Sequence, residues 1–269
     1  MSELVHARVV EHLQRLRLRH AEQRLDALLS EAARENVSFL DFLDHLLREE
    51  VSAKQSKRIA MHIQIAHFPA VKTLEGFDFK FQPSVDAKLV RELATSRYIA
   101  NGENLLLFGP PGVGKTHLAI GLGRAAIECG HAALFVTATA LLAALSKAEQ
   151  EGQLAERVAY FAKPRLLIVD ELGYLPFEKR AAHLFFQLVA RRYERGSLLI
   201  TTNQPVTQWG SVFGDEVLAA AILDRLLHHS HTMTITGESY RLRQKKKAGL
   251  LSVTTPQPNS TRAKEGGQD

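Results

Sequence analysis

The segment from Asn104 to Thr116 carries the residues of this sequence with the most specific chemical pattern. It reads Asn-Leu-Leu-Leu-Phe-Gly-Pro-Pro-Gly-Val-Gly-Lys-Thr and satisfies Gly-x-x-x-x-Gly-Lys-[Ser/Thr] between an apolar run and a predicted helix. In this P-loop pattern, glycines let successive backbone N–H groups surround a phosphate, and a hydroxyl next to the lysine ligates Mg²⁺. The pattern predicts a triphosphate site, because a plain Gly/Pro turn requires neither Lys115 nor Thr116.

Acidic and amide side chains end two further apolar runs. Asp170 and Glu171 follow a run typical of a parallel strand buried on both faces, and Asn203 ends the run that begins at Ser197. We expect Asp170 to bind Mg²⁺, Glu171 to act as general base on the attacking water, and Asn203 to orient that water. Ligands of open α/β sheets bind outside the carboxyl ends of strands, so the three strand ends are expected to converge there.

Arg225 lies on a helix predicted over 215–228 and is the candidate arginine finger. The alternative is a surface salt bridge between Asp224 and a neighbouring base. Three histidines between 228 and 231 have no carboxylate or cysteine at a structural-zinc spacing, so they are interpreted as surface polar residues.

Length and composition limit the possible architectures. A chain of 269 residues and 29.9 kDa accommodates one α/β core and a smaller appendage. The formal charge of +5 favours polyanionic partners. The sequence contains neither a membrane-spanning apolar run nor a signal peptide, which predicts a cytoplasmic protein without membrane contact. The single cysteine, Cys129, excludes an internal disulfide and is interpreted as a buried structural thiol.

Helical periodicity dominates the first 70 residues. An amphipathic helix is predicted from Val9 to Glu35, ended by Asn36. Ser38 is the predicted N-cap of a second helix that packs on the first as a hairpin. The predicted packing face of this second helix comprises Phe39, Leu40, Leu43, Leu46 and Leu47. A basic helical stretch over 53–67 has two equal interpretations, a solvated helix face or a nucleic-acid contact.

Aromatic residues alternate with polar ones before the P-loop. The period of Phe77, Phe79 and Phe81 predicts a short extended segment with one aromatic face. That face is expected either to cover an adenine or to pack on the core. A helix is predicted over 84–98.

The remaining elements complete an α/β chain. Helices are predicted over 117–129, 140–150, 154–162 and 180–195, and further strands over 132–137 and 231–236. A basic run extends from Arg241 to Lys247, and the composition after Thr254 predicts a disordered tail. The predicted domains are a helical unit over 1–70, a nucleotide-binding core over 71–250 and a tail over 251–269.

Several motifs resemble one family over nearly the whole chain. Gly-Pro-Pro-Gly-Val-Gly-Lys-Thr, the segment Val169–Pro176 and Thr201-Thr-Asn203 resemble the AAA+ ATPases, specifically the IstB-like ATP-binding helpers of bacterial insertion sequences. The resemblance extends to Leu74–Phe79, Ile222–Leu226 and Thr236–Arg243. The replicative helicase loader DnaC belongs to the same clade.

The resemblance implies a fold and an activity. The expected fold is α/β, a P-loop AAA+ core with a small all-α N-terminal domain for oligomerisation, partner or DNA contact, and no full C-terminal lid domain. The expected cofactors are ATP and Mg²⁺, and the expected activity is DNA-stimulated ATP hydrolysis in a site completed by a neighbouring subunit. The implied catalytic residues are Lys115, Glu171, Asn203 and Arg225, and the implied Mg²⁺ ligands are Thr116 and Asp170. The expected nucleotide contacts are Gly109, Pro110, Pro111, Gly112, Val113, Gly114, Lys115, Thr116, His117, Phe77, Phe79 and Arg241.

The implied partners are further copies of this chain, double-stranded DNA bound without sequence specificity, and a DDE transposase of the same element that receives the DNA. The alternative is a DnaC-like helicase loader. Arg241 and Arg243 are assigned either to the nucleotide as a second sensor or to DNA phosphates. A small-molecule kinase is disfavoured, because the Asp-Glu pair indicates water as the acceptor.

Overall fold

A five-stranded parallel sheet forms the centre of the protein. The structure, a computed structural model, describes residues 2–174 and 177–247, and for Ser2, Gln244, Lys246 and Lys247 it describes the backbone alone. The strands are β1 (Asn104–Phe108), β2 (Ala133–Thr137), β3 (Leu166–Leu172), β4 (Ser197–Thr202) and β5 (Ser230–Thr234). Their spatial order is β2-β3-β4-β1-β5, and all neighbours are parallel. The predicted α/β fold is confirmed.

Helices cover both faces of this sheet. They are α4 (Ala87–Ala94), α5 (Arg97–Ala100), α6 (Lys115–Glu128), α7 (Ala138–Gln150), α8 (Leu154–Ala162), α9 (Lys179–Arg192), α10 (Trp209–Phe213) and α11 (Glu216–Leu227). A further helix, α12 (Tyr240–Lys247), follows β5. Successive strand residues face opposite sides. Leu105 and Leu107 therefore join the cluster beneath α6, and Leu106 joins the cluster beneath α7, α9 and α11. This arrangement explains why the central strands are apolar at nearly every position.

Three helices precede the sheet. They are α1 (Ser2–Arg15), α2 (Arg19–Glu35) and α3 (Phe39–Ile65). The single helix predicted from Val9 to Glu35 is wrong, because Arg17 adopts a left-handed conformation (φ 55°) and separates α1 from α2. Asn36 ends α2 in the left-handed region as predicted, and the Ser38 hydroxyl accepts a hydrogen bond from the Asp41 amide.

The third helix connects the N-terminal helices to the sheet. Its first half packs on α2 through Leu46, whereas Phe39, assigned to the same packing face by the sequence, is 96% exposed. Its second half includes the predicted basic stretch and packs Ile59 and Ile63 against the core beneath α6. The carbonyl of Ala66 then accepts a hydrogen bond from an amide of the edge strand β2. Among the described residues, no helix is long and apolar enough to span a bilayer.

Three local predictions are corrected. The segment with Phe77, Phe79 and Phe81 consists of turns, because the Asp78 side chain accepts the Phe81 amide and competes with an extended conformation. The helix predicted over 84–98 is split into α4 and α5 at Ser96, which has φ 61°. Cys129 is exposed instead of buried. The tail predicted over 251–269 lies outside the described residues.

Candidate nucleotide-binding site

The P-loop connects β1 to α6, and three of its glycines, Gly109, Gly112 and Gly114, have positive φ. Gly109 has φ 147°, and a Cβ there would lie 2.2 Å from the Ile235 carbonyl oxygen. Gly114 has φ 107°, and a Cβ there would lie 2.6 Å from the Phe77 ring. The loop is therefore held tightly between the chain after β5 and the segment before the sheet, with the N-terminus of α6 directly behind it.

Lys115 lies at the start of α6 and folds back over the loop. Its ammonium donates hydrogen bonds to the carbonyls of Gly109 at 2.6 Å and Pro110 at 2.9 Å. Burial lowers the pKa of Lys115, while the nearby carboxylates of Asp170 and Glu171 act in the opposite direction. A desolvated ammonium beside a glycine-rich loop is well suited to exchange these carbonyls for phosphate oxygens.

Thr116 and Asp170 meet at the end of the sheet. The Thr116 hydroxyl lies 3.1 and 3.0 Å from the two carboxylate oxygens of Asp170, which is 3% exposed. Hydroxyl and carboxylate oxygens are hard ligands of the kind that Mg²⁺ prefers. The donor set therefore fits a Mg²⁺ ion that binds together with phosphates.

Glu171 is the next-to-last residue of β3 and Asn203 directly follows β4, so both lie at the edge of the sheet where these neighbouring strands end. Glu171 is exposed and has φ 62°, and its backbone N–H donates to the Thr201 hydroxyl at 3.0 Å. The same hydroxyl donates to Asp170 at 2.5 Å. Sequence reasoning included Thr201 in a motif but assigned it no role. The available signal was a hydroxyl that directly follows the apolar residues Leu198, Leu199 and Ile200 of β4.

A cavity of about 510 Å³ adjoins the loop. Its walls are formed by the segment 69–82, by residues 112–117 and by Tyr240 and Arg241. Phe77 lies in the wall, with its ring perpendicular to that of His117 at 5.3 Å. Phe79 contacts Phe77 and packs against the core, outside the residues that line the cavity. Phe77 is itself buried in the same core cluster, so both residues take part in core packing, and Phe77 in addition borders the cavity.

The helix α12 closes one side of this cavity. The Tyr240 amide donates to the Gly112 carbonyl at 3.0 Å, which connects α12 directly to the P-loop. The Arg243 guanidinium lies 4.6 Å from the ring centre of Phe81, another wall residue. Within the described part of the chain, α12 is the one helix after β5. Sequence reasoning selected Arg241 and placed Phe81 on the aromatic face, but it assigned no role to Tyr240.

Arg225 lies apart from the residues that line the cavity. Its guanidinium donates to the Ala221 carbonyl at 3.0 Å and stacks over the Phe186 ring at 4.7 Å. Asp224 forms no ion pair with the residues that the structure describes. The salt-bridge alternative for this pair therefore has no geometric support.

The histidines near α11 separate into two groups. His231 contacts Glu103 at 2.8 Å, whereas the donor atoms of His228, His229 and Glu194 all lie within 4.8 Å of one another. All three residues of the second group are exposed. The fold thus places the carboxylate of Glu194 beside His228 and His229, which the sequence spacing did not indicate.

Comparison with known proteins identifies relatives along almost the entire chain. Residues 11–248 match the family model described as IstB-like ATP binding protein. A Pseudomonas aeruginosa protein named as an ATP-binding protein of insertion sequence IS21 is 47% identical over 255 residues, covering 94% of this chain and 96% of that protein. A Geobacillus stearothermophilus protein named likewise for insertion sequence IS5376 is 45% identical over 246 residues, covering 91% and 96%.

Solved structures match the fold at lower identity. AMPPCP-bound DnaA from Aquifex aeolicus superposes with a TM-score of 0.51 at 20% identity, covering 70% of this chain and 58% of that chain. DnaI superposes with a TM-score of 0.51 at 23% identity, covering 64% and 93%. These structures share the AAA+ P-loop fold. The extent of the family match and the identity to the insertion-sequence proteins together show that this chain belongs to the IstB-like ATP-binding proteins, built on an AAA+ core.

Proposed function

We propose that the protein is a DNA-stimulated ATPase that oligomerises on double-stranded DNA and delivers it to the transposase of its insertion sequence. The observation that carries the proposal is the contact between Thr116 of the P-loop and Asp170 at the end of β3. It joins a phosphate-binding loop to a buried carboxylate, as ATP hydrolysis with Mg²⁺ requires. The family supplies the context of transposition.

Each residue of the site has a role that follows from its position. Lys115 would exchange its two loop carbonyls for phosphate oxygens, and Thr116 and Asp170 would hold Mg²⁺. Bound Mg²⁺ would neutralise charge on the phosphates. Glu171 is the general base for the attacking water, and Asn203 orients that water.

The site is completed by a neighbouring copy of the chain. Arg225 is outside the lining of its own cavity, and its guanidinium is held by Phe186 and the Ala221 carbonyl. Because this guanidinium is fixed and is outside the lining of its own cavity, it fits a contact with the nucleotide of an adjacent subunit. Oligomerisation is therefore a condition for hydrolysis.

Two basic regions support binding to duplex DNA. Lys54, Lys57 and Arg58 are exposed along α3, and Arg241, Arg243 and Lys245 are exposed on α12 beside the cavity. Each contact with a DNA phosphate lowers log K by about 0.9 per unit of log salt. A steep salt dependence without sequence preference is expected.

Hydrolysis by purified full-length protein tests this proposal. With ATP, Mg²⁺ and duplex DNA, Lys115→Ala is expected to lose ATP retention. Arg225→Ala is expected to retain ATP and to lose about 10³-fold or more of the DNA-stimulated rate. Arg157→Ala is the matched control, because this exposed arginine also stacks on an aromatic ring, that of Tyr160. It is expected to behave as the wild type.

Three outcomes contradict the proposal in different places. Wild-type turnover in Arg225→Ala would show that Arg225 of a neighbouring subunit does not contribute to ATP hydrolysis. DNA binding that does not weaken as the salt concentration rises would show that the two basic regions do not contact DNA phosphates. A preference for single-stranded DNA together with capture of a replicative helicase replaces the transposition role with that of a helicase loader.

A further inference from the structure

The two acids at the end of β3 stand opposite a single residue of β4. Val169 pairs with Ile200 and Leu172 pairs with Thr202, with a register shift between them. Asp170 and Glu171 therefore face Thr201 together, which is the arrangement of a β-bulge. A bulge aims two consecutive side chains differently from a regular strand, and here both side chains are the acids of the site.

The hydroxyl of Thr201 contacts both acids. It donates to the Asp170 carboxylate at 2.5 Å and accepts the Glu171 backbone N–H at 3.0 Å. Thr201 is 1% exposed, so water does not compete for these hydrogen bonds. One hydroxyl thus connects the side chain of the first acid to the backbone of the second.

The two hydrogen bonds of the Thr201 hydroxyl stabilise the bulge at Glu171 and the side chain of Asp170. The bulge removes the Glu171 N–H from the regular ladder, and a buried N–H without a partner is unfavourable. Glu171 also has φ 62°, a conformation that a residue with a side chain retains when its surroundings hold it there. The hydrogen bond from the Thr201 hydroxyl adds to the contact with Thr116, so two hydroxyls restrain the carboxylate of Asp170.

We propose that Thr201 is a positioning residue, whose hydroxyl orients Asp170 as a Mg²⁺ ligand and fixes the backbone that presents Glu171. This inference rests on the proposed function, since it assigns Thr201 to the same ATP site. Thr201 acts through the two acids and is not among the residues that line the cavity. Partners that orient a metal ligand in this way typically affect metal affinity or activity by about 10- to 100-fold.

The test measures how Mg²⁺ affects ATP binding, independently of hydrolysis. A fluorescent, non-hydrolysable ATP analogue is titrated into the full chain across a series of Mg²⁺ concentrations and in EDTA. In Thr201→Val, which keeps the side-chain shape, the half-saturating Mg²⁺ concentration is expected to rise by about 10- to 100-fold. Binding in EDTA is expected to stay at the wild-type level, because the P-loop is unchanged.

Two further variants separate the hydroxyl from packing. Thr201→Ser keeps the hydroxyl and is expected to restore most of the Mg²⁺ response. Thr202→Val is the matched control, because Thr202 is the adjacent, fully buried threonine, and its hydroxyl bonds to Gln204 instead of the acids. It is expected to keep the wild-type Mg²⁺ response. Thermal unfolding of each variant verifies that it is folded, and Thr201→Ala replaces Thr201→Val if the latter is not.

Specific results would overturn the inference. A folded Thr201→Val with the wild-type Mg²⁺ response excludes the positioning role, and an equal loss in Thr201→Ser attributes the effect to packing. If the wild type gains no affinity from Mg²⁺, the inference fails together with the assignment of Asp170. If the wild type binds ATP with Mg²⁺ but does not hydrolyse it on DNA, the proposed ATPase fails, and the Mg²⁺ titration still decides the role of Thr201.

Discussion

The sheet core and the N-terminal helices bury their apolar residues to very different extents. Leu106 of β1 and Phe185 of α9 are fully buried, whereas α3 exposes Phe39 at 96% and Leu40 at 76%. The buried cluster of the N-terminal helices consists of five residues, Leu13, Ala21, Leu25, Leu28 and Leu46. The core is therefore stabilised mainly by burial of apolar area, and the N-terminal helices have far less of it.

Polar contacts replace part of that burial in the N-terminal helices. Glu50 of α3 is 3% exposed, accepts the Ala21 amide in the first turn of α2 at 2.9 Å and pairs with Lys54 at 3.3 Å. Arg24 and Glu49 form a second link between α2 and α3 at 2.9 Å. Because these contacts depend on ionised carboxylates, we expect a fall in pH to destabilise the N-terminal helices before it destabilises the sheet.

The largest expected effect is a loss of stability of the sheet core through a substitution that does not touch the N-terminal helices. Phe185→Ala is expected to lower the free energy of unfolding by about 3–5 kcal/mol, because it opens a cavity between α9 and the sheet. Phe39→Ala, the matched control, is expected to change it by less than about 0.5 kcal/mol. Urea denaturation followed by the fluorescence of Trp209, the single tryptophan, measures the core, since Trp209 lies in the same cluster as Phe185. Equal losses in the two variants would contradict the comparison.

A smaller effect is expected at Glu50. Burial by itself would raise the pKa of Glu50, but hydrogen bonds from the Ala21 amide and Lys54 outweigh it and hold the pKa below its usual value. A lowered pKa stabilises the folded state above the unfolded-state pKa, about 4.3, and this stabilisation is lost as the pH falls through the folded-state value. Glu50→Gln is expected to cost about 1 kcal/mol at neutral pH and to remove this part of the acid dependence.

Far-UV circular dichroism against pH measures this difference in helix content. Glu35→Gln is the control, because the Glu35 side chain is 52% exposed and pairs with Arg34 on the surface. It is expected to follow the wild-type curve. An acid transition in Glu50→Gln that coincides with the wild-type transition would exclude the carboxylate as a stabilising contact.

The smallest effect is expected at the end of α2. Asn36 has φ 52°, and its amide and that of Val37 both donate to the Ala32 carbonyl. Asn36→Ala is expected to destabilise the helices by about 1 kcal/mol, because the short polar side chain of asparagine can hydrogen-bond locally in the left-handed conformation and that of alanine cannot. Asn36→Gly is expected to be neutral or slightly stabilising. Thermal melts of the helical signal compare them, and a greater loss in the glycine variant would show that the asparagine side chain matters more than the backbone.

Sequence periodicity predicted the sheet and most of its helices, since the apolar runs of β1, β3 and β4 are buried on both faces. It failed where local side-chain contacts compete with the period. Asp78 converts an apparent strand into turns, and Arg17 adopts a left-handed conformation without any glycine or proline to indicate it. The hydrophobic pattern of α3 also predicted a packing face, but the pattern does not encode how much partner surface is available.

The candidate site was predictable to the extent that it depends on strand ends. Lys115, Thr116 and Asp170 follow from the motifs, and topology explains why they lie together. The role that we infer for Thr201 depends on a bulge, and no glycine or proline in the segment of β3 indicates one. The contact of Tyr240 with Gly112 joins residues more than a hundred positions apart, which periodicity cannot reveal.

Because α12 contacts residues that line the cavity, a change in the position of this helix would alter the cavity. Tyr240 is hydrogen-bonded to the P-loop and Arg243 lies on Phe81, so displacement of this helix would disturb two parts of the cavity wall at once. Lys245 is exposed on the same helix. A fluorophore attached there would act as a remote reporter of nucleotide occupancy, and tethering the protein to a solid support through this helix would impair the pocket mechanically.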